Sequence, residues 1–158
     1  MRIVIFCHSL LSDWNHGNAH FLRGIASEII ARGHEITFYE PRDGWSLSNL
    51  MRYHGIGPLH EFRKRYPRLS SVLFDPAHLD LDSVLDGVDL VLVHEWNEPE
   101  LVQSIGAHRR SRDGMAGYDY RLLFHDTHHR CVTAPEEMQR YNLRDYDGVL
   151  AFGDRIRD

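Results

Sequence analysis

Asp89-Leu90-Val91-Leu92-Val93-His94 is a short apolar run with a histidine at its carboxyl end. Arg2-Ile3-Val4-Ile5-Phe6-Cys7-His8 and Tyr120-Arg121-Leu122-Leu123-Phe124-His125 repeat the pattern. Short apolar runs of this kind, rich in β-branched residues, read as strands buried on both faces of a parallel sheet. In open parallel α/β sheets, ligands bind just outside the carboxyl ends of the strands. A polar, titratable residue at that point on three strands therefore predicts one shared site built on His8, His94 and His125.

Working outward, strands alternate with helices. The first strand, 2–8, leads through a polar loop, Ser9 to Gly17, into a helix over 18–32. Leu22, Ile25, Ala26, Ile29 and Ile30 recur at helical spacing, which places Arg23, Glu28 and Arg32 on the solvent face. Gly33 stops the helix. Strand two is 35–39, closed by Pro41. Residues 44–68 read as helical pieces interrupted at Gly55-Ile56-Gly57-Pro58, and 72–74 as a short third strand. A short helix over 79–85 precedes strand four, 89–94. A helix over 99–107 follows, with Pro99 suited to its first turn. The glycine-punctuated stretch 106–117 reads as a mobile connection. Strand five is 120–125, a helix spans 135–141, and strand six is 148–152. Strands separated by helices imply right-handed crossovers. The expected fold is a doubly wound, mostly parallel, Rossmann-like α/β sheet of about six strands flanked by helices, forming one domain over 1–158. In the order 3-2-1-4-5-6, strands one, four and five are neighbours about 4.8 Å apart.

The formal charge of −5 argues against a general nucleic-acid binder. The charge is uneven. Residues 42–68 hold Arg42, Arg52, Arg63, Lys64, Arg65 and Arg68 against Asp43 and Glu61, a local +4 that leaves −9 elsewhere. Two cysteines, Cys7 and Cys131, make neither a disulfide framework nor a zinc pattern, so a reducing cytoplasm is the expected compartment. The apolar core of the first strand is too short for a signal peptide or a membrane span. The basic stretch around Trp45 and Arg63-Lys64-Arg65 admits peripheral contact with a membrane surface or an anionic acceptor, although most such runs are solvated helix faces.

The densest titratable cluster is His125-Asp126-Thr127-His128-His129. Histidine can hydrogen-bond a sugar hydroxyl, move a proton or ligate a metal. The spacing fits no zinc signature, and adjacent residues point in different directions. The plainer alternative is a set of hydrogen-bonded loop histidines. His94-Glu95-Trp96 ends strand four, where an acid and an indole suit contact with a polar ligand. The plainer reading has Trp96 covering the next helix, and a satisfied buried histidine suits His8 equally well. Gly17 and Asn18 open the first helix, where backbone N–H groups and the helix dipole favour an anion. They equally suit a simple helix start. Glu40 ends strand two, where dinucleotide enzymes place a ribose-binding acid, but the G-x-G-x-x-G loop is absent.

The order of these features resembles the N-terminal domain of GT-B fold glycosyltransferases, particularly those of the retaining family 4 type. The family's helix runs into an Arg-Gly-His-Glu phrase, here Ala31-Arg32-Gly33-His34-Glu35-Ile36. Its Asp-x-Val-x-x-His strand is matched by Asp89 to His94. Its next strand ends in a histidine, matched by Leu122-Leu123-Phe124-His125-Asp126. A later Asp-x-Val-x-Ala strand is matched by Asp147-Gly148-Val149-Leu150-Ala151. The family's paired glycines are reduced to Gly17, and Thr127-His128-His129 is unusual for the family. The resemblance implies transfer of a sugar from a nucleotide-sugar donor to an acceptor that this domain holds. His125 would sit by the transferred sugar, with Asp126 beside it. His94, Glu95, Trp96 and His8 would line the substrate side, and Gly17 with Asn18 would face the donor diphosphate. No cofactor and no metal is expected, because GT-B enzymes neutralise the leaving diphosphate with helix dipoles and basic residues. The donor is shared with a C-terminal domain that this sequence does not contain, so the chain is expected to be one part of a longer enzyme and inactive by itself. Asp154 to Asp158 reads as the first turn of a further helix. Two alternatives stand beside this: a Rossmann-like binding or regulatory module, and a metal-dependent hydrolase using the cluster from His125 to His129.

The single Gly17 stands where a dinucleotide fold needs three glycines. Calorimetric titration with NAD or NADP should therefore be silent, and micromolar binding of either would revive an oxidoreductase reading.

Overall fold

A computed structural model describes every residue except His16, His128, His129 and 155–158, and leaves out the side chains of Cys131 and Val132. Most of the stretch expected to begin a further helix, Asp154 to Asp158, lies outside the described residues. The strands are β1 (Arg2–Phe6), β2 (Glu35–Pro41), β3 (Ser71–Phe74), β4 (Leu90–His94), β5 (Arg121–Asp126) and β6 (Gly148–Ala151). The helices are α1 (Asn18–Ala31), α2 (Trp45–His54), α3 (Gly57–Arg65), α4 (Leu81–Leu85), α5 (Pro99–Ser111), α6 (Arg130–Thr133) and α7 (Pro135–Met138). A short 3₁₀ turn covers Pro76–His78. The strands form one parallel sheet in the order β3-β2-β1-β4-β5-β6, a Rossmann-like α/β sheet as the alternation of elements predicts, in the common order considered above. No helix among the described residues is long and apolar enough to cross a membrane. The chain forms two compact units, residues 1–6 with 80–158, and residues 7–79.

In the first unit β4 lies between β1 and β5. Its partners run in parallel, with Ile3 to Phe6 against Leu90 to Val93 and Arg121 to His125 against Leu90 to His94. Asp89 sets both registers at the start of β4. Its carboxylate accepts the Arg2 backbone N–H at 2.6 Å, and its carbonyl accepts the Arg121 N–H at 2.9 Å. Asp147 does the same for β6, accepting the Leu122 N–H at 2.7 Å. The turn before β4 needs a glycine. Gly87 has φ +65°, and a Cβ there would lie 2.7 Å from the Arg2 guanidinium. Val91, Val93, Val102, Ile105, Leu122 and Phe124 are buried in this unit. Burying each such side chain stabilises by about 1.5–3 kcal/mol.

Helix α5 runs to Ser111 rather than stopping at Ala107. The connection after it is shorter and more tied than its glycines suggest. Arg112 donates to both oxygens of Asp82, at 2.8 and 2.6 Å, and Arg109 donates to the Tyr120 carbonyl at 3.0 Å. His108 Nε2 lies 3.0 Å from Asp82, and its Nδ1 lies 2.9 Å from the buried Tyr120 hydroxyl. The Arg112 hydrogen bond holds the Asp82 carboxyl below its usual range.

In the second unit β2 and β3 pair in parallel from Phe38–Ser71 to Pro41–Phe74. Helix α1 ends as expected at Gly33, whose φ is +83°. The Gly33 N–H bonds the Ile30 carbonyl and the His34 N–H bonds the Ile29 carbonyl. Its buried face differs from the periodic reading. Ala19, Leu22, Arg23 and Ala26 face inward, and Ile25 is exposed. Arg23 is buried because each nitrogen of its guanidinium has a partner. Nε and Nη2 donate to the carbonyls of Leu10 and Leu11 at 2.9 and 3.0 Å, and Nη1 pairs with Asp13 at 2.9 Å. The same group lies over the Phe62 ring, 5.0 Å from its centroid. Helical spacing identifies a face; it cannot show that a charged residue on that face has found partners.

Arg23 thus holds the loop after β1 by its carbonyls. Arg23→Met should lower stability by about 2–4 kcal/mol, the scale for losing several hydrogen bonds to a buried charge. Arg23→Lys should recover only part of that, since a single ammonium cannot match the fork. Urea unfolding measures both. Wild-type stability in Arg23→Met would show that the loop is held by other contacts.

Candidate functional site

The β4–β5 register places His94 directly opposite His125 at the carboxyl edge of the sheet. His94 is 2% exposed and His125 is half-buried. Their rings meet edge to face with centroids 4.5 Å apart, and His94 Nε2 lies 3.0 Å from His125 Nδ1. A bond between two imidazole nitrogens requires one protonated and one bare nitrogen. Charging both rings would set two donors against each other. Burial also lowers the His125 pKa, which favours the neutral ring. The two tautomers are therefore coupled. When His94 Nε2 carries the proton, His125 Nδ1 accepts and His125 Nε2 is a donor. In the reverse arrangement His125 Nε2 is an acceptor or base.

The loops after the two strands hold this pair. The Glu95 N–H bonds the His125 carbonyl at 3.1 Å. Asn97 Nδ2 donates to the carbonyls of Phe6 and His94 at 3.0 and 2.8 Å, tying the end of β1 to the end of β4. Asn97 Oδ1 is buried, and no donor among the described residues reaches it. The Glu95 carboxylate is fully buried. It accepts the Thr127 N–H at 3.2 Å and the Thr127 hydroxyl at 2.8 Å. Desolvation raises the Glu95 pKa, and the nearby Asp126 adds to the rise. The Glu95 carbonyl accepts from Arg130 at 3.3 Å and from the Tyr141 hydroxyl, which also reaches the Asn97 carbonyl at 3.1 Å. Arg130 pairs with Glu137 and lies over the Trp96 ring at 4.9 Å.

Of the expected site residues, His94, Glu95, Trp96, His125 and Asp126 fall within one unit around one sheet edge. Two of these differ from the expected role. Glu95 is closed off from solvent and positions Thr127, because its carboxylate is engaged by that residue's N–H and hydroxyl. Asp126 is also buried, at 5% exposure. Trp96 is partly exposed, but one ring face carries the Arg130 guanidinium. Asn97, Arg130 and Tyr141 organise the site without any signal in the sequence, since their partners lie at strand ends and carbonyls far along the chain.

His8, Gly17 and Asn18 belong to the second unit. β1 ends at Phe6, so His8 lies past the strand instead of closing it. It is half-buried, and burial lowers its pKa. Gly17 is exposed and precedes α1 with φ −61°, a conformation open to any residue, and a Cβ added there would meet nothing within 4 Å. Glu40, the position compared with a ribose-binding acid, is 1% exposed and accepts the Leu11 N–H at 3.2 Å. It braces the same loop as Arg23, taking a backbone N–H where Arg23 gives to carbonyls. Among the described residues no group of three His, Cys, Asp or Glu side chains is arranged to hold a metal, and His128 and His129 lie outside those residues. No family model matches the chain, and no solved structure is significantly similar to it.

The lowered His125 pKa has a stability consequence. As pH falls, the unfolded histidine takes up its proton first, so the folded state loses stability as pH drops through about 6.5 and keeps it fully above about 7.5. Urea midpoints at about pH 7.5 and 5.5 should show a larger acid loss in the wild type than in His125→Asn. His8 and the carboxylates titrate in both proteins and cancel in the comparison. Equal losses would mean that the His94–His125 pair is not the sensitive element.

Proposed function

We propose that this chain is the acceptor-side, Rossmann-like half of a GT-B type glycosyltransferase, which moves a sugar from a nucleotide-sugar donor to an acceptor. The observation that carries the reading is the His94–His125 pair at the carboxyl edge of β4 and β5. It falls on the two histidines that close the resembling motifs. A neutral, oriented His125 suits hydrogen bonding to a sugar hydroxyl or charge stabilisation beside the reacting carbon. His94 sets its tautomer, and Glu95, Asn97 and Tyr141 hold the backbone on either side. Within the second unit, the backbone N–H groups at Gly17 and Asn18 are proposed to favour an anionic group such as a diphosphate. A second α/β domain would carry the rest of the nucleotide-sugar site, and closure of the two would assemble it.

The test is a panel of nucleotide sugars and acceptors, incubated with the protein carrying whatever its reading frame encodes downstream. Donor consumption and transfer are measured. Transfer is expected, with His125→Ala lowering kcat by ~10²-fold or more. His128→Ala should be milder, because no motif matches it. Near-normal turnover in a folded His125→Ala protein would move the chemistry elsewhere. A reading frame with no second α/β domain, and no partner chain to supply one, would remove the half-enzyme reading.

A further inference from the structure

Helices α2 and α3 follow one another in the second unit, joined through Gly55 and Ile56. Each buries little. Helix α2 buries Ser46, Leu47 and Leu50, and α3 buries Phe62. What remains outside is unusual in kind. Trp45 is 53% exposed, Tyr53 60% and Ile56 57%, with Met51 exposed between them. Trp14 stacks on Tyr53 with ring centroids 4.9 Å apart, and His54 lies 5.5 Å from Trp14. A single exposed apolar residue is ordinary on any protein surface. Here four fall within twelve consecutive positions, two of them aromatic residues with a polar edge. Tryptophan and tyrosine of this type favour the boundary between water and lipid.

The charge around them has one sign. Between Trp45 and Tyr66 stand Arg52, Arg63, Lys64 and Arg65 against the single carboxylate of Glu61. All four cations are exposed, and none forms an ion pair with a carboxylate among the described residues. Arg52 and Arg65 instead lie over the Tyr53 and Tyr66 rings, each 5.6 Å from the centroid. Outside the basic stretch 42–68 the chain carries a net −9. A negatively charged plane would attract this helix pair.

We propose that α2 and α3 form a docking surface for an anionic lipid bilayer. Trp45, Tyr53 and Ile56 enter the headgroup region, while Arg52, Arg63, Lys64 and Arg65 meet the lipid phosphates. A soluble polyanion would use the cations and be indifferent to Ile56 and Trp45, so the exposed apolar residues select the bilayer. The proposal is independent of the transferase reading, since it concerns where the protein sits and not what it transfers.

The experiment is co-sedimentation with vesicles of phosphatidylcholine alone and with roughly one quarter phosphatidylglycerol added. Binding is expected to the anionic vesicles, weakening as salt rises, with little to the neutral ones. Tryptophan emission should shift to the blue on binding, and Trp45→Phe should abolish most of that shift. Arg63→Glu, Lys64→Glu and Arg65→Glu together should weaken binding on the order of 10²-fold. Trp45→Ala with Ile56→Ser should weaken it about tenfold. All are surface positions, and unchanged thermal melting by circular dichroism verifies folding of each variant. No binding to anionic vesicles overturns the proposal. So does binding that survives either set of substitutions, or heparin binding as tight as vesicle binding.

Discussion

Asp89 fastens three strands at one point. Its carboxylate takes the first N–H of β1 and its carbonyl takes the first N–H of β5. The register along β4 is then settled, and five residues later it brings His94 level with His125. At that far end Asn97 closes the frame by donating to the carbonyls of Phe6 and His94. A slip of one residue between β4 and β5 would turn the side chains to opposite faces and separate the two histidines. The geometry of the candidate site thus rests on an interaction at the other end of the strand. The same logic gives the Asp-x-Val pattern a physical meaning, because Asp147 repeats it for β5 and β6.

Two buried carboxylates organise the loops in a parallel way. Glu40 accepts backbone N–H from the loop after β1, and Glu95 accepts backbone N–H and hydroxyl from Thr127. Desolvation raises the pKa of both, so each would tend towards protonation without those donors. Hydrogen bonds from the loops offset the cost of burial and bind each loop to its strand. The counterpart for carbonyl groups is Arg23, whose fork meets Leu10 and Leu11. In the first unit the loop after β5 is thereby held by a buried carboxylate, and His125 beside it remains half-buried. A rigid backbone around an oriented imidazole is what a positioned catalytic or binding histidine requires.

The most specific phrase in the family resemblance, Arg32-Gly33-His34-Glu35, proves to be a helix stop. Gly33 adopts φ +83° and the following N–H groups close the last turn of α1. Its physical role is to turn a helix into a strand.

The sequence by itself determined the elements and their order. Apolar runs of strand length marked β1, β4 and β5, Gly33 marked the end of α1, and the alternation with helices implied a doubly wound parallel sheet, which the structure has. It also singled out His94 and His125, because a polar residue after a buried run is visible locally. Only the tertiary structure decided what those residues touch. It buried Arg23 on the face that held Leu22, closed Glu95 against Thr127, extended α5 to Ser111, and brought in Asn97 and Tyr141. Periodicity and turn chemistry act over a few residues, and a one-dimensional pattern records them. Arg23 reaches Leu10 across 13 residues and Asn97 reaches Phe6 across 91, and nothing local encodes either pairing.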